Sequence, residues 1–542
     1  MSLSWNSLGP LLALGVPLAL LLVGGVPTAW ANARPRLLAR LNEAMAWLAF
    51  ALAIAAAVFG TLGGARTLTV ASVALPAGLG DLSLTSYLNA LTMMMLLLVS
   101  FVGVVVSRYS KNYLAGDPQQ GRFHKWLALT LASILSLIVS GNLLLFALAW
   151  ITTSLSLHQL LMFYKERPIA VLSAHKKFVA SRISDASLLL AVVLIGSTLH
   201  TLEFDSLFQQ MAAFQGDLPL SLQIASYLIV LSAALKSAQF PLHGWLLQVM
   251  EAPTPVSALL HAGIVNAGAF LVIRMSPILS HSTGALVALS LIGLVTLALA
   301  SLVMLTQTSV KVSLAWSTTG QMGFMLLECG LGLYSLAMLH LMAHSLYKAH
   351  AFLASGSAVD AFRAPALRGA ARAFDPLRLG AALVLGVLVS FGVGALFGVS
   401  WQAQTTLLVV GVILAVSMSQ LVLQASAALG LAPAVAMAGG LSAVLCAAYF
   451  ALHAGFDHLL LHAVLPVTAS AQAAYAVLVP VVSAVFVALL LLQQYLQTAN
   501  SGLRFRLYVH LYNGLYVDVY VTRLLQKLWP VPQTNTVALQ GV

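Results

Sequence analysis

The chain has 542 residues, of which 61% are hydrophobic and 7% charged, with a formal net charge of +11. Soluble domains carry roughly 25% charged residues, so no segment reads as an independent water-soluble domain. The two cysteines, Cys329 and Cys446, stand apart in apolar segments and point to neither a disulfide framework nor a cysteine metal site.

Apolar spans, each long enough to cross ~30 Å of hydrocarbon, are predicted near residues 10–30, 43–63, 88–107, 125–140, 142–163, 182–200, 222–247, 254–276, 283–305, 310–328, 333–357, 379–399, 404–428, 433–453 and 474–496. The expected fold is an all-α polytopic membrane protein with about 14–15 transmembrane helices. The first span ends in Ala29-Trp30-Ala31, which looks like a signal-peptidase site. Residues 1–33 contain no Lys or Arg, and the basic cluster Arg34, Arg36 and Arg40 follows the span, as expected of a retained first helix entering the cytoplasm.

With the N-terminus outside, alternate loops collect the basic residues. They are Arg34, Arg36 and Arg40; Arg108, Lys111, Arg122 and Lys125; Lys165, Arg167, Lys176, Lys177 and Arg182; Lys311; Arg363, Arg368, Arg372 and Arg378; and Arg504, Arg506, Arg523 and Lys527. Arg66 and Arg274 fall at the opposite surface, and Lys236 and Lys348 lie within the membrane. The positive charge therefore sets topology and forms no nucleic-acid surface. The longest outer loops, 64–87 and 201–221, carry Gly, Asp, Glu and Pro; the inner loop 358–378 is basic. A working division is 1–110, N-terminal helices; 111–430, a core; and 431–542, C-terminal helices with a basic, aromatic tail. That tail, from Arg504 through Lys527, is read equally as an interfacial amphipathic helix or a cytoplasmic cap.

Ionisable groups inside the spans carry the chemistry. Lys236 stands in Leu235-Lys236-Ser237-Ala238-Gln239-Phe240-Pro241-Leu242-His243. An amine in hydrocarbon costs ~2.5–3.5 kcal/mol even on the lenient insertion scale, so it faces a polar interior or a partner. Pro241 removes a backbone donor just beyond it, and a break there frees a carbonyl. Asp185, one turn into its span after Arg182, and Glu251 are the carboxylates placed to partner Lys236. His261 lies a turn and a half beyond Pro255. Lys311 opens the tenth span, Glu328 closes it, and His340, His344 and Lys348 are spaced i, i+4, i+8 along one helix face. Such a stripe either lines a wet path or glues helices together; three groups on one face favour the path. Metal ligation is the rival for His340 and His344 and for His453, Asp457, His458 and His462. The first pair lacks a carboxylate on its face, and the second group sits at the outer surface, so no metal site is expected.

Lys236 through Trp245 and Glu251-Ala252-Pro253-Thr254-Pro255-Val256-Ser257-Ala258-Leu259-Leu260-His261-Ala262 closely resemble the signature of antiporter-like subunits. That family includes the large proton-pumping subunits of respiratory NADH dehydrogenase and multisubunit Na⁺/H⁺ antiporters. Further matches are Arg182-Ile183-Ser184-Asp185, Lys311 through Gly323, and His340 through Lys348. The resemblance implies two inverted five-helix repeats with broken helices and half-channels. It also implies a central lysine at Lys236, a modulating carboxylate at Asp185, and a hydrated relay through Lys311 and Lys348 bridged by His261, His340 and His344.

The chain departs from the respiratory members at two points. They carry a glutamate directly after a tryptophan in the fifth span, where this chain has Trp150-Ile151. The twelfth span, Gly380–Ser400, lacks the lysine or glutamate expected of a second broken helix. These departures, with Lys176-Lys177-Phe178-Val179-Ala180-Ser181-Arg182 before the sixth span, are more similar to the DabB family. Its members are membrane subunits of the DAB inorganic-carbon accumulation complex of bacteria, whose large soluble partner, DabA, resembles a β-carbonic anhydrase and carries zinc. The resemblance implies that cation flow, H⁺ first and Na⁺ as the alternative, energises one-way conversion of CO2 to bicarbonate on that partner. This chain would then be a transporter subunit of the bacterial inner membrane with no cofactor of its own and a cytoplasmic C-terminus. A redox-linked or secondary antiporter subunit is the second reading, and a membrane scaffold whose buried charges only hold a partner is the third.

Overall fold

A computed structural model describes residues 5–63, 66–357, 376–400, 404–429, 431–498 and 501–530. The helices α1 (Leu8–Gly24) and α2 (Pro35–Gly63) open the chain and pack against each other. A β-hairpin, β1 (Thr67–Ala74) and β2 (Asp81–Tyr87), then occupies the segment read from sequence as an irregular outer loop. Its alternation of apolar and polar residues, as in Asp81-Leu82-Ser83-Leu84-Thr85, is the period of a half-buried strand. Asn142 fastens the hairpin by donating to the Asp81 carbonyl (2.8 Å) and to Ser83 Oγ (3.3 Å).

There follow α3 (Ala90–Tyr113), α4 (Gln120–Val139), α5 (Leu143–Leu161), α6 (Pro168–Leu199) and α7 (Leu220–Lys236). Their starts are chemically marked. Asn89 caps α3 by accepting from the Thr92 amide, Asn142 caps α5 by accepting from the Leu144 and Leu145 amides, and Pro168 occupies the first turn of α6. Helix α6 begins well before the expected residue 182, so Lys176 and Lys177 belong to the helix and are buried, and Asp185 lies mid-helix instead of one turn in. Arg274, expected at the outer surface, is also buried. It donates to Thr92 Oγ1 (2.6 Å) and lies over the rings of Tyr87, Phe204 and Phe270. Charge counting treats every basic residue near a span end as solvated, and both misplacements come from that assumption.

The span expected at 254–276 is two pieces, α8 (Thr254–Ala262) and α9 (Ala267–Arg274), separated by a 3-10 turn at Ile264–Asn266. It is the centre of the molecule, with 94% of its apolar stretch buried in protein. Around it stand α10 (Thr283–Met304), α11 (Val310–Gly330) and α12 (Tyr334–Leu353). Helices α10 and α11 cross closely at Gly293 and Gly323, where a Cβ on either residue would overlap the other helix's backbone. The C-terminal helices α13 (Pro376–Leu396), α14 (Thr405–Leu429), α15 (Leu431–Leu460) and α16 (Ala469–Thr498) lie at the periphery. Leu388, Val444 and Val477 are exposed there, as lipid-facing side chains are. Arg363, Arg368 and Arg372 of the basic inner loop lie outside the described residues.

Among the described residues, eleven helical spans are long and apolar enough to cross a membrane. The 17-residue α1 and α7 and the more polar α11 and α12 accompany them. The chain is a multi-span membrane protein. The tail forms α17 (Gly502–Tyr512) and α18 (Val517–Leu528), and α18 docks onto α6 around Lys176.

Candidate functional site

Helix α7 stops at Lys236. The chain turns through Ser237–His243, with Ala238 at a φ of 49° and a cis Phe240–Pro241 bond, before a short helix resumes at Gly244–Gln248. Buried backbone groups freed by a break need partners. Thr296 Oγ1 of α10 accepts from the Phe240 amide (3.1 Å), and Ser237 Oγ donates to the Val265 carbonyl (2.9 Å). That carbonyl belongs to the break between α8 and α9, so the two interruptions lie side by side. Gly268 makes the approach possible, because a Cβ there would overlap Ser237 Oγ and the Ala233 carbonyl.

The Lys236 ammonium is buried and points at α5. It donates to Ser154 Oγ (2.7 Å) and towards the Trp150 carbonyl (3.3 Å), and lies 4.2 Å from the centre of the Trp150 ring. These neutral groups stand one turn apart, flanking Ile151, where the resemblance leads one to expect glutamate. Lys177 reaches the same place, donating to the Ser154 carbonyl at 2.6 Å. Two buried amines therefore meet at one serine.

Of the two candidate carboxylates, Asp185 interacts electrostatically with Lys236 and Lys177 and is paired with Arg182 at 2.5 Å. Glu251 does not join them. It sits at the surface, 3.3 Å from Arg167, and its apparent closeness came from its place in the motif.

From the paired breaks a polar line continues. Asn266 donates to Ser345 Oγ of α12 at 2.7 Å, beside the stripe His340, His344 and Lys348. Lys348 is fully buried and donates to the Leu314 carbonyl (3.2 Å). His344 is buried with neither ring nitrogen bonded to protein; the same holds for His261, which stacks on Phe352 at 4.2 Å. His340 and His344 have ring centres 6.3 Å apart. Lys311 is half-buried at the start of α11, with Nζ 3.5 Å from Thr254 Oγ1. The structure thus gathers Lys236 and Asp185 on one side, and His261, His340, His344 and Lys348 on the other, with hydroxyls and an amide between them. Lys311 stands at the margin.

Sequence reasoning missed Ser154, Lys177 and Asp518. Ser154 stands four residues after Trp150, the spacing of one helix face, and Lys177 is half of a doubled lysine that was read as loop charge. Asp518 is the one acid between Arg504 and Lys527. It accepts from Lys176 (2.8 Å) and from Gln248 (3.0 Å), and Gly244 leaves the notch that its carboxylate fills. The arrangement places amines, imidazoles and carboxylates in a protein interior, spaced by hydroxyl and amide groups that can pass protons along hydrogen bonds.

Comparison with known proteins identifies the families and relatives that the chain resembles. The family described as "NADH:quinone oxidoreductase/Mrp antiporter, TM" matches residues 140–368, and "NADH-Ubiquinone oxidoreductase (complex I), chain 5 N-terminus" matches residues 75–124. A "Probable inorganic carbon transporter subunit DabB2" of Halothiobacillus neapolitanus is 44% identical over 536 residues, covering 98% of this chain and 96% of the relative. A "Probable inorganic carbon transporter subunit DabB" of Hydrogenovibrio crunogenus is 49% identical over 273 residues, covering 50% of this chain and 52% of the relative. A chain of the Mrp complex from Dietzia sp. shares the fold with a TM-score of 0.55 at 24% identity, over 96% of this chain and 58% of that one.

Proposed function

The chain belongs to the DabB family of inorganic carbon transporter subunits, and from that membership we propose that it is the proton-conducting motor of a carbon pump. Cation flow through it, H⁺ rather than Na⁺, would drive one-way hydration of CO2 to bicarbonate on a large soluble partner that carries zinc. The chain itself would perform no chemistry on carbon. The observation that carries this reading is the junction at Ser154, where Lys236 and Lys177 meet neutral acceptors at a helix break. A buried amine held without a directly bonded carboxylate can take and give up a proton, which a fixed ion pair resists. Imidazoles along α12 supply further exchangeable positions. The basic residues that do lie in loops support an orientation with the N-terminus outside and α17–α18 on the cytoplasmic side, and the reading puts the chain in a bacterial inner membrane.

The test is purification of the tagged chain from native membranes in mild detergent, followed by mass spectrometry and metal analysis. A large soluble protein recovered in fixed ratio, with zinc, is the expected result. Flavin, quinone or iron–sulfur subunits recovered instead would move the chain to a redox-linked complex.

A further inference from the structure

At the end of the α12 stripe away from Lys348, His340 is held between two side chains of α11. Its Nδ1 lies 2.9 Å from Glu328 Oε2 and its Nε2 lies 2.6 Å from Gln321 Oε1. The Glu328 and His340 side chains are 6% and 15% exposed. A neutral imidazole has one N–H, whereas an ionised carboxylate and an amide oxygen can only accept. With the Gln321 oxygen facing Nε2, either both ring nitrogens carry hydrogen or Glu328 does. That is one proton more than a neutral histidine beside an ionised glutamate. Turning the Gln321 amide over sets an N–H against Nε2, and the same three positions are satisfied with that proton gone. The loaded and empty forms differ by one proton and one amide rotation.

We propose that Glu328, His340 and Gln321 form a proton-loading site, the port through which the α12 stripe exchanges protons with the face of the membrane opposite Lys311. The site rests on the ion-conduction reading given above and names its second terminus. Helices α13, α14 and α16 offer no alternative, since Leu379–Leu396, Thr405–Leu429 and Ala469–Thr498 contain no Lys, Asp, Glu or His. A cavity of about 340 Å³, bounded by Phe324, Glu328, His340, Ala343, Val410 and Tyr449, opens beside the pair. Among the described residues, His344 on α12, Cys329 on α11 and Tyr449 on α15 are titratable groups beside the Glu328–His340 pair. Ser335, at the start of the same helix as His340, donates to the exposed Asp457 of α15 at 2.9 Å.

The experiment compares Glu328→Gln, Glu328→Asp and Lys236→Ala in the complete complex, at matched abundance in membranes, by inorganic carbon uptake over a range of external pH. Glutamine keeps the size and hydrogen bonds of the side chain but cannot ionise. Uptake is expected to fall at least about tenfold in Glu328→Gln, while Glu328→Asp keeps most of it with a displaced pH profile. Wild-type uptake in Glu328→Gln overturns the site. Equal loss in Glu328→Gln and Glu328→Asp also overturns it, because shape and not a proton would then be what matters. Lys236→Ala separates the two proposals: if it alone loses uptake, the conduction reading stands and the port is wrong. If it too transports normally, the conduction reading itself fails.

Discussion

Lys236 is anchored by a hydroxyl, a carbonyl and an aromatic face, and the Asp185 carboxylate acts on it through space. Substitutions here should separate charge from exchangeability. Lys236→Ala removes the amine, and Lys236→Arg keeps a permanent charge because guanidinium holds its proton at every cellular pH. Both are expected to reduce uptake to background while the protein still inserts, as judged by membrane abundance; Asp185→Ala should do the same. Normal uptake by an assembled Lys236→Arg complex would sink the exchange role. Ser154→Ala is milder. It deletes one of two acceptors and leaves the carbonyls in place, a loss of about 1 kcal/mol in holding the amine, read as a partial fall in uptake.

At the level of elements, two contacts determine whether these residues meet. The crossing of α10 and α11 depends on Gly293 and Gly323, and α10 also carries Thr296, which satisfies the broken end of α7. Gly323→Leu should force the pair apart at a cost of about 1–3 kcal/mol, lowering the melting temperature in detergent; an unchanged melting curve would show that the crossing is looser than it looks. The second contact is the seat of α18. Asp518→Ala leaves the buried Lys176 ammonium without its carboxylate, which costs on the order of 1–3 kcal/mol, and should release the tail. Trypsin would then cut at Arg523 and Lys527 several-fold faster than in the wild type. Equal cleavage rates would mean that the apolar face of α18, not the ion pair, holds it.

Across the whole molecule, the membrane class, the spans and the position of the break at Lys236 were legible in the chain. Hydrocarbon tolerates only satisfied backbone and few charges, and that constraint writes itself as apolar runs interrupted at functional points. The stripe on α12 was legible for a similar reason, since i, i+4, i+8 spacing fixes one face without any neighbour. The hairpin at Thr67–Tyr87 was written as an alternation but is short enough to pass for loop. What only the tertiary structure decided is which groups touch. Lys177 meets Lys236 at Ser154 because α6, which begins at Pro168, carries it against α5. Glu251 turns away to Arg167, Glu328 faces His340 across a helical hairpin, and Asp518 enters a notch formed hundreds of residues earlier in the chain. Local sequence determines the face on which a side chain stands, because helical geometry is short-range. The partner on that face is chosen by close packing between helices distant in sequence, and no local pattern encodes it.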